Sequence, residues 1–536
     1  MPRRPEPAPR PSTIGRRDVL RGAALTAASM VLTSTGAAAA TAAPTTVPGW
    51  DAAVPWQRVF PARAVALLAG QGADDVNQTR DRFAVHATDL GVMWRDGRGR
   101  VAIAFGDTYG PGWGGNGAGP HTADWRCNVL AHASNPSLAD GLRIDSMITD
   151  RPGHAAQILA RDTSVAEETV IPTAGIAVGS RDVLHYMSVR HWGAAGTWVT
   201  NYAGLAYSDD GGQTWAKPVN NRWSATGGGA RFQLGAFAAD GDTVYLFGTP
   251  QGRFGDVVLA RVATDRLLDP ASYQYWTAQG WDRTGLDRTV PVLAGPVGEL
   301  SVLYNEHLRR WVALYLDESR AAIVARTAPA PNGPWTGGWI VAHGQDFGGL
   351  YGAFLHPAST GRELYFAMSQ WTPYHVRLMS LSADELPVES NLVQDGGFED
   401  RPPGAGVGPW RVNGRGGVDQ GLGYARSGEN NGWIRADAGW NDLFQKVAVR
   451  PGARHRLTGW VRSSAATDGG YLGVRRPDGG GTIAEAPFGH VADYAPLTVE
   501  FTADEAGEAE VFCGGWAGSG GEVWIQLDDV VLEPLD

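Results

Sequence analysis

Short apolar strands separated by glycine-rich turns fill the chain between residues 83 and 381. Helical periodicity is nearly absent there, and runs of this length bounded by turn residues are typical of β-strands. A loose unit recurs along this region. It consists of an apolar strand, a turn, a second strand rich in aromatic residues, a loop and a third strand. Repeated units of this kind are typical of β-propeller blades.

The unit occurs five times, and the first copy is lengthened by a glycine-rich loop at residues 110–119. We therefore predict a five-bladed β-propeller. The predicted strands are residues 89–94, 101–109 and 128–132; 170–178, 183–189 and 204–207; 233–238, 243–248 and 257–262; 300–304, 311–316 and 321–326; and 352–356, 364–368 and 375–381.

Residues 208–215 read Ser-Asp-Asp-Gly-Gly-Gln-Thr-Trp and match the Asp-box, a motif of propeller hairpins. Asp210 is placed to accept hydrogen bonds from turn amides, and glycine supplies the positive φ that such a turn needs. Trp215 is expected to fill the interior of the blade. We predict a structural role for this motif and no catalytic one.

The pattern changes beyond residue 382. Residues 391–399 open a second region of alternating strands, and residues 526–532 close it. Its size and alternation suit a jelly-roll β-sandwich. The predicted fold is therefore all-β, with a propeller over residues 63–384 followed by a β-sandwich domain over residues 385–536.

The first residues have the pattern of a targeting segment. Arg16-Arg17-Asp18-Val19-Leu20 is a twin-arginine pattern, followed by an apolar run at residues 23–32 and alanine-rich sequence to residue 43. The run is too short to span a bilayer. We predict a twin-arginine signal peptide over residues 1–43, a linker over residues 44–62, secretion to the extracellular space, and no membrane insertion after cleavage.

Composition narrows the classes of partner. A net charge of −11 excludes nucleic acid as an expected partner. The 21 tryptophans suit a protein that stacks aromatic rings on sugar, although large β-sheet cores also use tryptophan. Cys127 and Cys513 lie in different predicted domains, so we predict two buried thiols and no disulfide. We expect a monomer whose partner is a polysaccharide.

Hydrolysis of a glycosidic bond needs two carboxyl groups that flank it. Asp89 opens the first predicted strand, Asp107 closes the second, and the turn at residues 96–99 lies midway between them. Residues equidistant from the turn of an antiparallel hairpin face one another. We therefore predict that Asp89 and Asp107 lie side by side and separate each other's pKa values. The alternative is a pair of aspartates that cap strand ends.

Several further residues near strand ends are candidates for contacting sugar. Glu168, at the entry to the second unit, would orient substrate or remain a solvated loop charge. The others combine arginine and aromatic side chains with one amide, a mixture suited to hydroxyl-rich ligands. They are Arg126, Arg190, Trp192, Tyr202, Arg253, Asn305, Trp371 and Tyr374.

The region from residue 63 to 381 resembles glycoside hydrolase family 183, first catalogued as domain of unknown function 4185. The matching stretches are Thr88-Asp89-Leu90-Gly91, Phe105-Gly106-Asp107-Thr108, and residues 125–131, 170–173, 304–307, 310–311, 349–352 and 368–371. The resemblance implies an endo-D-arabinanase that cleaves α-linked D-arabinofuranose chains of mycobacterial arabinogalactan and lipoarabinomannan.

Carried over to this chain, the two catalytic aspartates of the family fall on Asp89 and Asp107, the same pair that the hairpin selects. Asp89 is expected to be the general acid and Asp107 the general base. Inversion needs about 6.5–9.5 Å between the carboxyl groups, whereas roughly 5 Å would suit retention. We expect inversion, with side chains that splay apart, and no cofactor for catalysis.

The two ends of the second domain resemble carbohydrate-binding modules of the four/nine type. This resemblance implies a structural Ca²⁺ held by Glu399 and Asp528, whose oxygen ligands suit that ion. A sugar-stacking platform is expected from the tryptophans of the domain, although each of them is also a candidate core residue. These are Trp410, Trp433, Trp440 and Trp516.

Two other functions remain open. One is a lectin-like propeller that binds glycan without cleaving it. The other is a different glycosidase, such as an L-arabinanase or a sialidase-like enzyme, which the Asp-box allows. The motifs of serine hydrolases, zinc proteases and P-loop enzymes do not occur in the sequence.

Overall fold

The computed structural model describes residues 60–535 except 73, 121, 387–390, 400–406, 437–438, 450, 478–479 and 517–522. The predicted signal peptide lies outside the described residues, as does most of the predicted linker. Antiparallel strands dominate the described chain, which has one short α-helix, α1 (Thr79–Phe83). No helix in the described ranges is long and apolar enough to cross a membrane. The 3-10 helices are Gly227–Phe232, Thr264–Arg266, Pro270–Ser272, Leu286–Arg288 and Ala383–Glu385.

The N-terminal part of the described chain, residues 60–386, contains 26 strands. They are β1 (Arg63–Ala69), β2 (Leu90–Arg95), β3 (Val101–Phe105), β4 (Thr108–Tyr109), β5 (Trp125–Arg126), β6 (Val129–Ala133), β7 (Ile144–Met147), β8 (Thr149–Arg151), β9 (His154–Ala155), β10 (Thr169–Val178), β11 (Arg181–Trp192), β12 (Trp198–Ser208), β13 (Arg222–Ser224), β14 (Leu234–Asp240), β15 (Thr243–Thr249), β16 (Gly255–Ala263), β17 (Gln274–Thr277), β18 (Gly280–Asp282), β19 (Leu293–Val297), β20 (Leu300–Asn305), β21 (Arg310–Asp317), β22 (Ala322–Ala328), β23 (Trp339–His343), β24 (Leu350–Leu355), β25 (Glu363–Gln370) and β26 (His375–Ser382).

Most of these strands form five antiparallel sheets. Sheet 1 has the order β2-β3-β6-β7, sheet 2 β10-β11-β12-β13, sheet 3 β14-β15-β16-β17-β18 with β19 beside β16, sheet 4 β20-β21-β22-β23, and sheet 5 β24-β25-β26-β1. The remaining strands pair as β4-β5 and β8-β9. The predicted strands coincide with strands of these five sheets, except that the strand predicted at residues 101–109 is interrupted at residues 106 and 107.

The first strands of the five sheets contact one another in a closed cycle. Strand β2 contacts β10, β10 contacts β14, β14 contacts β20, β20 contacts β24, and β24 contacts β2. In an antiparallel sheet the start of the first strand and the end of the second lie at the same edge. We call the edge at which the first strands begin the upper end. Residues before β2, β10, β14, β20 and β24 therefore meet there.

Burial explains why these segments form strands. Every residue of β3 and β24 is buried, and the β3 sequence Val-Ala-Ile-Ala-Phe is apolar on both faces. Strands covered on both faces read as continuous apolar runs. Sheet 5 combines the two ends of this part of the chain, because β1 pairs with β26 over Arg63–Ala69 and Val376–Ser380.

The C-terminal part, residues 391–535, has two sheets around a separate apolar core that includes Phe398, Leu443, Leu457 and Leu527. Sheet 6 has the order β27-β30-β35-β32-β33 and sheet 7 the order β28-β29-β36-β31-β34. The strands are β27 (Arg411–Asn413), β28 (Gly416–Gln420), β29 (Asn430–Ala436), β30 (Trp440–Ala448), β31 (Arg454–Ser463), β32 (Gly470–Arg475), β33 (Thr482–Phe488), β34 (Ala495–Thr502), β35 (Glu508–Trp516) and β36 (Val523–Pro534).

The two parts touch through polar contacts at sheet 4. Arg320 donates to the backbone carbonyl of Glu399 at 2.7 Å, and His343 lies 3.1 Å from the Glu429 carboxylate. Cys127 and Cys513 are both buried and free, as predicted.

Candidate active site

The hairpin β2–β3 brings Asp89 and Asp107 to the upper end. Trp94 pairs with Ala102, and Ala87 pairs with Tyr109, both consistent with a turn centred at residue 98. An irregularity between Leu90 and Val92 shifts the pairing locally. The Asp89 carbonyl therefore accepts from the Gly106 amide at 3.1 Å. Gly106, and not Asp107 as predicted, lies opposite Asp89, and Asp107 is one residue farther along the chain.

Asp89 is held by two tyrosines. The hydroxyls of Tyr351 and Tyr374 donate to its Oδ2 at 2.9 and 3.0 Å. Its Oδ1 is buried without a hydrogen-bond partner among the described residues. Burial, and next the charge of Asp107, raise the pKa of Asp89 to about 8 against the two tyrosine hydrogen bonds, which lower it. At neutral pH this carboxyl group is therefore mostly a neutral acid.

Asp107 accepts hydrogen bonds from side chains of two neighbouring segments. Thr169, the first residue of β10, donates its hydroxyl to Oδ1 at 2.7 Å, and the Trp125 indole donates to the same oxygen at 3.1 Å. Hydrogen bonds donated to a carboxylate stabilise its charged form. The two aspartates thus have contrasting environments: Asp107 receives donors that favour its charge, whereas an oxygen of Asp89 is buried without any.

Gly106 makes the close approach of the two strands possible. A Cβ atom at this position would lie 2.3 Å from Asp89 Oδ1 and 3.0 Å from a methyl carbon of Leu90. Leu90 itself adopts a φ of +66°, and Tyr374 adopts a φ of +47°. Left-handed backbone at non-glycine residues costs on the order of 1–3 kcal/mol each and clusters at functional sites.

An aromatic group lies beside Asp89. Trp371 is 39% exposed, and its ring centre lies 5.5 Å from that of Tyr374 and 6.4 Å from that of Tyr351. The glycine-rich loop of residues 110–119 reaches this group, because the Gly117 amide donates to the Thr372 carbonyl at 3.0 Å. A partly exposed indole beside a carboxyl pair suits the apolar face of a sugar ring.

Behind the tyrosines, Arg253 joins sheets 3 and 4. Its guanidinium lies 2.9 Å from Glu299 and 2.9 Å from Glu318, and it stacks 5.0 Å from the Tyr351 ring. The second oxygen of Glu299 is buried without a partner among the described residues, and its charge contributes to the raised pKa of Asp89. Arg253 is thus a fixed cation near Asp89, not a free sugar ligand as predicted.

Three of the remaining predicted ligands lie at the upper end of sheet 2. Glu168 is partly buried, and its amide donates to the Val189 carbonyl at 2.7 Å, directly before Thr169. Arg190 is exposed near the end of β11, and Trp192 is half-buried with its ring 5.7 Å from that of Trp198. Their positions are compatible with substrate contact.

The other three predicted ligands have structural roles. Arg126 is buried and donates to the carbonyls of Ala155 and Ala84. Tyr202 is buried under Arg222, whose guanidinium lies 3.9 Å from the ring. Both predictions were wrong because these side chains turn into the protein.

Asn305 does not lie at the upper end either. It is fully buried at the end of β20, where its amide donates to the carbonyls of Ser359 and Gly361 in the turn between β24 and β25. The end of a first strand lies opposite its start. The sequence marked Asn305 as a residue at a strand end but did not reveal which end.

Sequence reasoning missed four side chains that surround the pair. Thr169, Tyr351 and Trp125 contact an aspartate directly, and Glu299 pairs with Arg253, which stacks on the Tyr351 ring. A positional signal was present, because Thr169, Glu299 and Tyr351 stand at the start of a first strand, as Asp89 does.

The Asp-box forms the turn that its sequence predicts. Asp210 accepts from the Thr214 amide at 2.9 Å and from the Thr214 hydroxyl at 2.6 Å, and the Trp215 indole donates to the Gly212 carbonyl at 3.0 Å. Gly212 has a φ of +87°. All of these contacts are local, so the motif is structural.

In the C-terminal part, Glu399 and Asp528 both contact the loop of residues 426–430. Glu399 accepts from the amides of Glu429 and Asn430, and Asp528 accepts from those of Arg426 and Ser427. Both carboxyl groups are buried. Burial, followed by the charges of Asp529 and Glu399, raises the pKa of Asp528. Within the described ranges no cluster of three or more His, Cys, Asp or Glu side chains is placed to hold a metal.

The predicted tryptophan platform does not form as one surface. Trp410 is buried and stacks on Phe398 at 5.3 Å, so it belongs to the core. Trp440 and Trp516 lie together on the outer face of sheet 6, with ring centres 5.5 Å apart. Trp433 lies on β29, which belongs to sheet 7.

The outer face of sheet 7 has unpaired amide oxygens. Ile434 and Ile525 of this sheet belong to the core, so their neighbours Trp433, Trp524 and Gln526 project to the other face. Oε1 of Gln526 and Oδ1 of Asn431 are buried without a partner within the described residues, whereas the Gln526 amide nitrogen faces the Asp419 carboxyl group. Buried amide oxygens without partners are rare in folded proteins, and such groups beside tryptophan suit a hydroxyl-rich ligand.

Comparison with known proteins shows that the part of the chain that carries this site belongs to a known family. The DUF4185 family, described as a domain of unknown function, matches residues 74–380. Notoamide biosynthesis cluster protein J′ of Aspergillus versicolor is 32% identical over 329 residues, covering 58% of this chain and 86% of that protein. Notoamide biosynthesis cluster protein J of an Aspergillus species is 31% identical over 312 residues, covering 54% and 81%.

Among solved structures, an exo-β-1,3-galactanase from Phanerochaete chrysosporium is similar with a TM-score of 0.39 and 11% identity, covering 87% of this chain and 100% of that structure. A similarity at this level says nothing about the activity of the present chain.

Proposed function

Because this chain belongs to the DUF4185 family, we propose that it uses the carboxyl pair Asp89 and Asp107, which the family resemblance also selects, to hydrolyse internal α-D-arabinofuranosyl linkages of arabinan. In this proposal sheets 1 to 5 are the blades of a five-bladed β-propeller, and sheets 6 and 7 form a jelly-roll sandwich that binds glycan. The closed cycle of first strands supports the propeller assignment.

The observation that carries the proposal is the contrast between the two carboxyl groups. Asp89 has a pKa of about 8 and is a neutral acid at pH 7, able to protonate the leaving oxygen. Asp107 accepts hydrogen bonds from Thr169 and Trp125, and we assign it the role of general base on water. We assign inversion, to be tested by NMR of the first-formed anomer.

The test is release of oligosaccharides from purified arabinogalactan. Asp89→Asn and Asp107→Asn should each lower the rate by about 10²–10⁴-fold, the usual contribution of a general acid or base. Asp209→Asn is a matched control, because Asp209 is exposed and pairs with Arg181 at the start of β11, at the edge opposite the upper end. Full activity in both site variants would overturn the assignment.

A lectin-like function is the alternative outcome. Binding of arabinan or another glycan without any product would indicate a glycan-binding protein. Products from L-arabinan or sialosides, but none from D-arabinan, would indicate a different glycosidase.

We assign glycan binding in the C-terminal part to the outer face of sheet 7, on the unpaired amide oxygens of Gln526 and Asn431 beside Trp433. Gln526→Leu and Trp433→Ala should weaken retention on insoluble arabinogalactan about tenfold or more. The rate on soluble oligosaccharides should stay the same. Leu422→Ala, at an exposed apolar residue of the same part, is the control.

We also propose a structural Ca²⁺ held by Glu399 and Asp528. Two buried carboxylates that repel each other, with only oxygen donors, suit this ion. Gly428 allows the Glu399 carboxylate to approach this loop closely, since a Cβ there would lie 2.2 Å from Glu399 Oε1. Backbone oxygens would complete the ligand set. The ion would offset the carboxylate charges and stabilise the loop of residues 426–430.

Export by the twin-arginine route is part of the proposal. Replacing Arg16 and Arg17 together by lysine should retain the protein in the cytoplasm, measured by fractionation. Secretion of that variant at the original level would contradict the proposed route.

A further inference from the structure

A cavity lies at the outer edge of sheets 2 and 3, apart from the carboxyl pair. Its volume is about 440 Å³, within the usual range for sites that bind small ligands. Strand β13, the outermost strand of sheet 2, forms one side, and β17 together with the turn of residues 283–287 forms the other. Tyr351, Tyr374, Thr169 and Trp125, which hold the two aspartates, are not among the residues that line this cavity.

The cavity contains a polar group in need of a partner. Asn221 lines it and is only 4% exposed, and its Oδ1 is buried with no hydrogen-bond partner among the described residues. Leaving such a group unpaired costs about 1–3 kcal/mol, so a ligand that donates to Asn221 would recover that energy.

The walls are preformed. Gly228 allows two segments to pack directly, because a Cβ there would lie 2.3 Å from the Leu286 carbonyl oxygen. The Gly228 amide donates to Asp287 Oδ1 at 2.6 Å, which fixes the same contact. On the opposite side Trp223 packs edge-on against Tyr273 at 5.6 Å. A rigid site loses little conformational entropy on binding.

The lining chemistry suits a sugar. Aromatic walls from Trp223, Tyr273 and Tyr275 fit the C–H face of a ring, and the Asn221 amide oxygen accepts from a hydroxyl. Hydroxyls of Ser224 and Thr226 stand at the exposed mouth.

We infer that this cavity is a second glycan-binding site of the N-terminal part, separate from the carboxyl pair. A polymer could bridge the two sites. The loop that precedes β10 connects them, since Asp162 lies 3.5 Å from Arg222 and the same loop leads to Thr169 on Asp107. The cavity would then hold a remote portion of the chain that is cleaved at Asp89, and this bridging role rests on the proposed function.

The test is hydrogen exchange of the Asp89→Asn protein, which should bind substrate without consuming it. Soluble D-arabinan fragments are the first probe, a choice that rests on the proposed function. At a ligand concentration ten times Kd, peptides covering residues 221–229 and 283–287 should exchange about tenfold more slowly, in proportion to occupancy.

Two variants in the Asp89→Asn background locate the effect. Asn221→Leu removes the amide oxygen at nearly constant volume, and Thr226→Trp blocks the mouth from an exposed position. Both should abolish protection of these peptides and keep protection near Asp89. Asn220→Leu, an exposed neighbour outside the cavity, should change nothing.

Protection that survives in both variants, or protection near Asp89 with none at the cavity, overturns the inference. If D-arabinan protects nothing, L-arabinan and galactan fragments are tested in the same way. Protection of the cavity by either would support the second site while contradicting the proposed substrate. No protection of the cavity by any of the three would overturn the inference.

Discussion

At the scale of single residues, the site depends on how two like carboxyl groups are made different. Oδ2 of Asp89 accepts hydrogen bonds from two tyrosine hydroxyls, whereas its Oδ1 has no hydrogen-bond partner among the described residues. Burial therefore outweighs hydrogen bonding, and the neutral form is favoured. Asp107 receives hydrogen bonds from Thr169 and Trp125 instead.

The raised pKa of Asp89 predicts the pH dependence of activity. The acid form is present below the folded-state pKa of about 8, so kcat should fall as pH rises through that value. The groups facing this carboxyl are Asp107, Glu299, Tyr351 and Tyr374. Glu299→Gln removes one negative charge and should move the alkaline limb to lower pH. If the alkaline limb of the kcat profile does not move in this variant, Glu299 does not influence the pKa of Asp89.

The same raised pKa predicts that Asp89 destabilises the folded protein as pH rises, whereas a carboxylate in an ion pair stabilises it. The folded pKa of about 8 lies above the ordinary value of 3.8, so Asp89 stabilises the fold fully below pH 3.8. That contribution is lost as pH rises from 3.8 to about 8. Asp89→Asn should therefore raise Tm more at pH 8 than at pH 4, measured by calorimetry. Equal changes at both pH values would contradict the assigned pKa.

At the scale of elements, the β2–β3 hairpin positions the pair through one glycine and one irregular register. Gly106 leaves room for Asp89 Oδ1, and the shift between Leu90 and Val92 turns Asp107 away from the position directly opposite. The hairpin thus places both carboxyl groups at the upper end without pairing them directly.

Gly106→Ala should disrupt this arrangement. Its Cβ would collide with Asp89 Oδ1, and overpacking of this kind costs about 1–3 kcal/mol. We expect a lower Tm and a loss of activity of at least tenfold. Gly114→Ala is the control, because nothing lies within 4 Å of a Cβ there. Activity equal to that of the control would show that Asp89 tolerates displacement.

Arg253 connects sheets 3 and 4 behind the site. Arg253→Met leaves Glu299 and Glu318 without their cation, and breaking a buried pair costs about 3–5 kcal/mol. Urea unfolding should show this loss. Adding Glu299→Gln to Arg253→Met should restore part of it, whereas a purely steric role of Arg253 predicts no recovery.

At the scale of the whole molecule, the two parts have separate apolar cores and meet through polar contacts. Arg320 contacts the backbone of Glu399, and His343 contacts Glu429, so the contacts from sheet 4 reach the same loop as the proposed Ca²⁺ site. Ion binding and the attachment of the C-terminal part are therefore expected to be linked.

Calcium should raise the thermal stability of the full chain. Removal by EDTA is expected to lower Tm, and added Ca²⁺ to restore it, because the ion binds only the folded protein. Glu399→Gln should remove this response and leave hydrolysis of soluble oligosaccharides intact. Glu429→Gln retains both proposed ligands, Glu399 and Asp528, and its Tm should still rise when Ca²⁺ is added. A Tm that does not respond to Ca²⁺ in the unaltered protein would refute the site.

Much of the fold follows from local pattern. Apolar runs such as Val-Ala-Ile-Ala-Phe of β3 and the turn chemistry of the Asp-box are properties of short segments, and both appear as predicted. The partnership of β1 with β26 could not be predicted in this way, because it joins segments about 300 residues apart and depends on closure of the cycle of sheets.

The candidate site divides in the same way. The sequence by itself determined that Asp89 and Asp107 share one end of a hairpin, since turn position fixes which residues approach each other. Only the tertiary structure decided that Tyr351 and Tyr374 contact Asp89, that Arg126 and Tyr202 turn inward, and that an unpaired amide lies at the edge of sheet 2. Those outcomes depend on packing between distant segments, which local spacing does not encode.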